Sequence, residues 1–332
     1  MMDSNVLEHS LKNESTRHMH QGIALMERSA WSPALEHFEQ AIRLREQLPW
    51  QQEVASAWLL AAAWLNRSDA LRHQEEPALF PEALVSLEHC IAAMTHVPLA
   101  ENPAYPERLI LAWINRASIL GEMGDMDGAC EDFMMAEGLL SKWGENVTAS
   151  RMFQRAMLST NRARLLLMHG QPRAALEDTQ AAIVILSQLN AVSAEIKARS
   201  IQCRALALLL EEKDGAGCFD DWIALATDTT EEALALVKAS GYLDFWVSDL
   251  VRYGAKIYRA CQPQFLAEFI CEWTVTGPLE KDKALKGEMK NELLLAQMEL
   301  EQRVLTHSCD TEYVQSQIKI LKTLQEGIRR GT

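Results

Sequence analysis

The sequence predicts an all-α protein: about six helical hairpins in a linear array, closed by a C-terminal pair of helices. Three observations carry that prediction. Apolar residues recur at three- and four-residue intervals almost throughout, as in Leu35, Phe38, Ile42 and in Leu158, Leu165, Leu166, which is the helical period. Only 10 Pro and 15 Gly punctuate the chain, and most fall between periodic runs, so helices of about 12–20 residues should be joined by short turns. Finally, the chain repeats itself. Ile114-Asn115-Arg116-Ala117-Ser118-Ile119-Leu120 returns as Thr160-Asn161-Arg162-Ala163-Arg164-Leu165-Leu166, and again as Gln202-Cys203-Arg204-Ala205-Leu206-Ala207-Leu208. No stretch alternates with β-branched enrichment, so strands are not expected.

Taken in order, the first hairpin has a small residue at Gly22, a turn at Ser29–Pro33, then Ala34, Phe38 and Ala41. The second is expected to use Ala62 and Ala83, with a charged loop over Asn66–Phe80 ending at Pro81. The third follows a proline-rich loop, Val97–Pro106, and reads Ala117, a turn at Gly124-Asp125, then Ala129, Phe133 and Ala136. The fourth reads Ala163, Gly170-Gln171-Pro172, Ala175, Thr179 and Ala182. In the fifth and sixth, Ala205 and Ala233, then Gly254 and Ala267, take the small positions. An insertion near Lys213–Asp228 interrupts the fifth. Antiparallel helices approach closely only where Ala or Gly faces the neighbour, and a larger residue one turn on fills the gap to the next hairpin.

These units resemble tetratricopeptide repeats (TPRs); Trp113, Ala117, Leu120, Gly124-Asp125, Ala129, Phe133 and Ala136 carry the resemblance best. It covers roughly residues 15–275 and implies a right-handed superhelical solenoid. Residues 1–14 are then an N-terminal segment and 279–332 a capping helical hairpin. The longer spacing is similar to that of kinesin light chains and bacterial peptide-sensing regulators, and Ala34–Leu48 looks somewhat like the former. In the last segment Leu285, Met289, Leu293, Ala296, Leu300 and Val304 mark one helix. Val314, Ile318, Leu321, Leu324 and Ile328 mark another. A repeat stack needs a terminal element with one polar face; a coiled-coil dimerisation hairpin is the rival reading.

Charge and motifs narrow the function. Thirty-two Lys+Arg against 46 Asp+Glu leave a net charge of −14, which repels phosphate backbones and argues against nucleic acid. No run is long and apolar enough to span a bilayer, and Met1–His20 lacks the order of a signal peptide. Seven scattered cysteines without a C-x-x-C read as reduced thiols of a cytoplasmic protein. Zincin, nucleophile-elbow, Walker and dinucleotide motifs are all missing. Gly121–Gly128 (GEMGDMDG) suggests a calcium loop only superficially, because it coincides with the inter-helix turn. His18 and His20 diverge on a helix, and His89-Cys90 and Asp220-Asp221 are adjacent, so neither metal nor catalytic pair is read from them. No cofactor and no enzymatic activity are expected. The N-x-[ST] triplets at Asn13, Asn66 and Asn146 are read as chance matches.

What the resemblance implies is recognition of a protein or peptide on a concave face built from the first helices. That face would take Met19, His20 and Ile23; Leu59, Leu60 and Ala63; Ile114, Asn115 and Ser118; Thr160, Asn161 and Arg164; Arg199, Gln202 and Cys203; Val251 and Arg252. The candidate contacts are His20, Asn115, Ser118, Asn161, Arg164, Arg199, Gln202 and Arg252. In peptide-binding members an asparagine matching Asn115 and Asn161 holds the ligand backbone, since an amide both donates and accepts. Arg164, Arg199 and Arg252 suit a carboxylate; alternatively Arg199 pairs with Glu195 on its own helix. Of the five residues with which heat-shock co-chaperones grip a terminal carboxylate, only Asn161 and Arg199 match. The apolar end of the face suits an amphipathic helix, or the chain's own Val6–Leu11. A scaffold or adaptor, a ligand-responsive regulator and a cytoskeletal adaptor of kinesin-light-chain type are the readings that remain.

Overall fold

Helices account for nearly all of the described backbone. The structure, a computed structural model, describes residues 4–74, 76–102, 104–142, 148–211, 219–241, 245–262, 266, 269–270, 283–305, 315–316 and 318–323. Its main helices are α1 (Ser4–Met26), α2 (Trp31–Arg45), α3 (Val54–Arg72), α4 (Phe80–Met94), α5 (Ala104–Glu122), α6 (Met126–Ser141), α7 (Ala149–Met168), α8 (Pro172–Gln188), α9 (Val192–Glu211), α10 (Phe219–Ser240), α11 (Phe245–Cys261) and α12 (Lys283–Leu305). No strand occurs among the described residues. The chain divides into two compact units, Met1–Asn161 and Arg162–Thr332, the division falling inside α7.

The second helices match the predicted spacing. Ala34, Phe38 and Ala41 are fully buried, as are Ala83, Leu87 and Cys90, and Ala175, Thr179 and Ala182; Ala129, Phe133 and Ala136 are buried in the same places. Opposite them, Gly22, Ala117, Ala163, Ala205 and Gly254 are buried on the first helices. A Cβ on Gly22 would meet Phe38 Cε1 at 2.5 Å, so the aromatic ring of α2 rests against bare backbone of α1. The turns recur with the same chirality. Seven residues after each small position, Ser29, Gly124 and Gly170 adopt φ of 57°, 90° and 69°, the left-handed stop that lets a helix reverse.

The second hairpin departs from expectation. Ala62 is only half-buried, while Ser68 is sealed. Its α3 runs on to Arg72, so the loop predicted over Asn66–Phe80 shrinks to the residues before α4, including a 3₁₀ turn at Pro77–Leu79. Side-chain bonding fixes the true register. Arg116, beside Ala117, forms a two-bond clasp to Asp132 on α6 (Nε–Oδ2 2.7 Å, Nη2–Oδ1 2.6 Å). Arg162, beside Ala163, clasps Asp178 on α8 in the same way, at 2.7 Å twice. Arg67, beside Ser68, donates to Ser86 on α4 at 2.6 Å, and Ser86 lies three residues after Ala83 as Asp132 does after Ala129. Ser68 is therefore the first-helix small residue, and Asn66-Arg67-Ser68 is the counterpart of Asn115-Arg116-Ala117.

Other boundaries also shift. Residues 4–14, expected as a separate leading segment that includes the possible self-ligand Val6–Leu11, are the first half of α1. From Phe219 onward the expected insertion is helix α10; residues 212–218 and Ala267 lie outside the described set. Helix α12 packs on α11 and contributes Leu285, Met289, Leu293 and Ala296 to the core of the second unit.

Candidate functional site

The first helices carry the candidate face, and the corrected register changes its composition. Met19, Leu60 and Ala63, expected to line an apolar end, are core residues packed with Phe38 and Ile42. Their places are taken by Asn66 and Asp69, one turn apart on α3 and both half-buried. In the first unit the face therefore runs through exposed His20, then Asn66 and Asp69, then Asn115 and Ser118.

Asn115 is 7% exposed, and its Nδ2 donates to Asp69 Oδ1 at 2.9 Å, tying α5 to α3 through polar groups. Although Asp69 as a whole keeps some exposed surface, burial of its carboxyl pushes the pKa up to about 6, against the opposing pull of Arg72. Arg72 itself meets Glu122 at 3.4 Å. Asn66 makes no hydrogen bond among the described residues, so its amide stays available. Ser118 is turned into its own helix, with Oγ donating to the Ile114 carbonyl at 2.9 Å. Asn161 is 3% exposed at the end of the first unit.

In the second unit the predicted arginines are already occupied. Arg199 is held by Glu195 at 2.8 Å and by Glu232 at 2.8 Å, the same-helix pairing weighed from spacing, with a second acid added. Arg252 meets Glu288 at 2.5 Å and pairs with Asp249 as well. Gln202 is buried, and Arg164 is half-buried. Arg252 and Arg259, which meets Glu292 at 2.6 Å, fasten α12 to α11.

Several sequence candidates resolve into structural roles. Asp125 caps α6, accepting from Gly128 N at 3.0 Å, so the GEMGDMDG segment supplies the turn and cap between α5 and α6. His18 meets His37 across α1 and α2, Nδ1 to Nδ1 at 3.0 Å, a pairing invisible in the sequence because it spans two helices. His73 and His89 stack on Trp31 and Trp64. Among the described residues no group of three or more possible metal ligands converges. Burial pushes the Cys90 and Cys203 thiols up to about 12, far from the range of a reactive thiolate. No described helix is long and apolar enough to cross a membrane.

Solved structures share this arrangement. Aspartyl phosphate phosphatase F of Bacillus subtilis superposes with a TM-score of 0.57 at 12% identity, over 97% of this chain and 72% of that one. A Rap protein complexed with competence and sporulation factor gives 0.53 at 13% identity, over 96% and 77%. The chain has a TPR-like fold. A tetratricopeptide repeat protein of Parabacteroides merdae, at 16% identity over 93% of this chain and 99% of that one, scores 0.48. These matches concern the TPR-like fold and do not extend to the kinesin-light-chain likeness. No family model matches the sequence, and no curated protein matches it.

Proposed function

We propose that this TPR-like chain is a non-catalytic interaction scaffold that binds a protein or peptide segment along its first helices. The observation that carries the reading is the recurrence of an amide at one repeat position, Asn66, Asn115 and Asn161. Asn66 has no internal partner among the described residues, and Asn115 uses only its Nδ2 on Asp69. An amide row of this kind suits an extended backbone, which offers alternate donors and acceptors. In the first unit His20 and Ser118 flank the row. Arg199 and Arg252 are held by neighbouring acids and belong to the face as orienting groups.

The test is capture of a partner from native lysate with the wild-type chain, followed by affinity measurement on the purified pair. Asn66→Ala should weaken binding by about tenfold or more, about 1.4 kcal/mol, with unchanged thermal unfolding. Full affinity in that variant removes the amide row from the site. A second reading, a regulator whose partner is released by a ligand, draws on the Rap protein solved with competence and sporulation factor. It requires a small ligand that loosens the captured partner.

A further inference from the structure

Arg45 closes α2 and is 2% exposed, yet it meets no carboxylate among the described residues. Its Nε donates to Ser15 Oγ at 3.3 Å and its Nη1 to the Leu59 carbonyl at 2.5 Å. Arg67, the other arginine buried to a comparable degree, is matched by Glu39 and Glu82. From α5, Arg108 reaches the same turn of α3: its Nη1 donates to the Trp58 carbonyl, next to Leu59, and its guanidinium lies 3.2 Å from the Trp58 ring centroid. Arg108 likewise has no acidic partner among the described residues.

Two guanidiniums thus converge on successive carbonyls of one helical turn of α3, one brought by α2 and one by α5. Burial pushes both pKa values down to about 10, and the charge of Arg45 lowers that of Arg108 further. Removing a cation from water is expensive unless an anion stands beside it, and carbonyl dipoles supply only partial charge. Each guanidinium carries five N–H donors; the protein engages two on Arg45 and one on Arg108. Nη2 of Arg45 makes no hydrogen bond among the described residues, but it is not one of the sealed side-chain atoms there. Solvent therefore reaches it.

We propose that Arg45 and Arg108, braced on the Trp58 and Leu59 carbonyls, form an oxyanion-binding site for a phosphate or carboxylate group. Planar guanidiniums suit such oxygens because they donate paired, charge-assisted bonds. Tyr105, 4.9 Å from Trp58 between ring centroids, flanks the ring under Arg108. The site is independent of the amide row and does not rest on the scaffold reading.

Calorimetric titration of the full-length chain with inorganic phosphate, and separately with acetate, at constant ionic strength, tests it. One saturable site is expected with phosphate, acetate or both. A response to phosphate alone assigns the site to phosphate groups, and a response to acetate assigns it to carboxylates as well. Arg108→Gln, at a half-exposed position, should fold and bind at least about tenfold more weakly; Arg45→Met should abolish binding. If Arg45→Met does not fold, Arg108→Gln decides. Absence of saturable heat with both anions, or equal affinity in wild type and Arg108→Gln, overturns the proposal.

Discussion

The two units solve one packing problem with different chemistry. In the first, neighbouring first helices are linked by polar groups: Asn115 bonds Asp69, and Arg72 meets Glu122. In the second, α9 places Leu206 where α3 has Asp69, and Leu206 is fully buried in a core shared by α9, α11 and α12. The arginines there are consumed by internal acids, Glu195, Glu232, Asp249, Glu288 and Glu292. An apolar contact between first helices gives cohesion and leaves nothing to read, whereas a polar contact gives less cohesion and leaves unused donors and acceptors. The amides with unused donors or acceptors, Asn66 and Asn115, therefore lie in the first unit.

Exchanging the two residues is the most forceful way to break this contrast. Leu206→Asp would bury an unpaired carboxylate in a closed apolar core and should cost about 4 kcal/mol or more, enough to unfold the second unit. Asp69→Leu removes a carboxyl that burial already disfavours but leaves the Asn115 amide short of an acceptor, a net change of about 1 kcal/mol or less. Urea unfolding of both variants measures the asymmetry. Similar losses would mean that both places are equally buried in solution and that the units do not differ.

Much of the fold is legible in the sequence, and the second hairpin's register is not, for a definite physical reason. The second helices were read correctly because Ala34, Ala83, Ala129 and Ala175 each begin a small–large–small triplet, a signal that packing alone imposes. The first helix of the second hairpin is alanine-rich, Ala55, Ala57, Ala61, Ala62 and Ala63, so small residues there mark no unique position and the spacing alone points to Ala62. The usable signal was Asn66-Arg67-Ser68, which repeats Asn115-Arg116-Ala117 with the arginine that clasps the second helix. Arg45 and Arg108 could not be found this way. Their significance lies in what is missing around them, and spacing along a chain does not reveal absent neighbours.

Acidity sharpens the comparison with a smaller effect. The carboxyl of Asp69 is raised from 3.8 to about 6 in the folded chain, so the fold holds that proton more tightly than the unfolded chain does. Stability from this group is fully present below pH 3.8 and is lost as pH rises through about 6. Allowing for partial exposure, the loss is on the order of 1–2 kcal/mol. Asp69→Asn keeps an acceptor for Asn115 and cannot ionise. Its stability relative to wild type should therefore climb between pH 4 and pH 7.5 in parallel urea titrations, and a flat difference would place the carboxyl in open water.

The smallest predicted effect compares three copies of one turn. Ser29, Gly124 and Gly170 occupy the same repeat position with positive φ, and nothing lies within 4 Å of a Cβ built on either glycine. The cost of a side chain there is conformational alone, roughly 1–2 kcal/mol for an ordinary L-residue in the left-handed region. Ser29→Gly relieves that strain but adds freedom to the unfolded chain, leaving a net gain of about 0.5 kcal/mol. Asn190, at φ 52° after α8, should gain less on conversion to glycine because asparagine visits this region more readily. Equal gains at both sites would show that the turn before α2 is no more strained than the turn before α9.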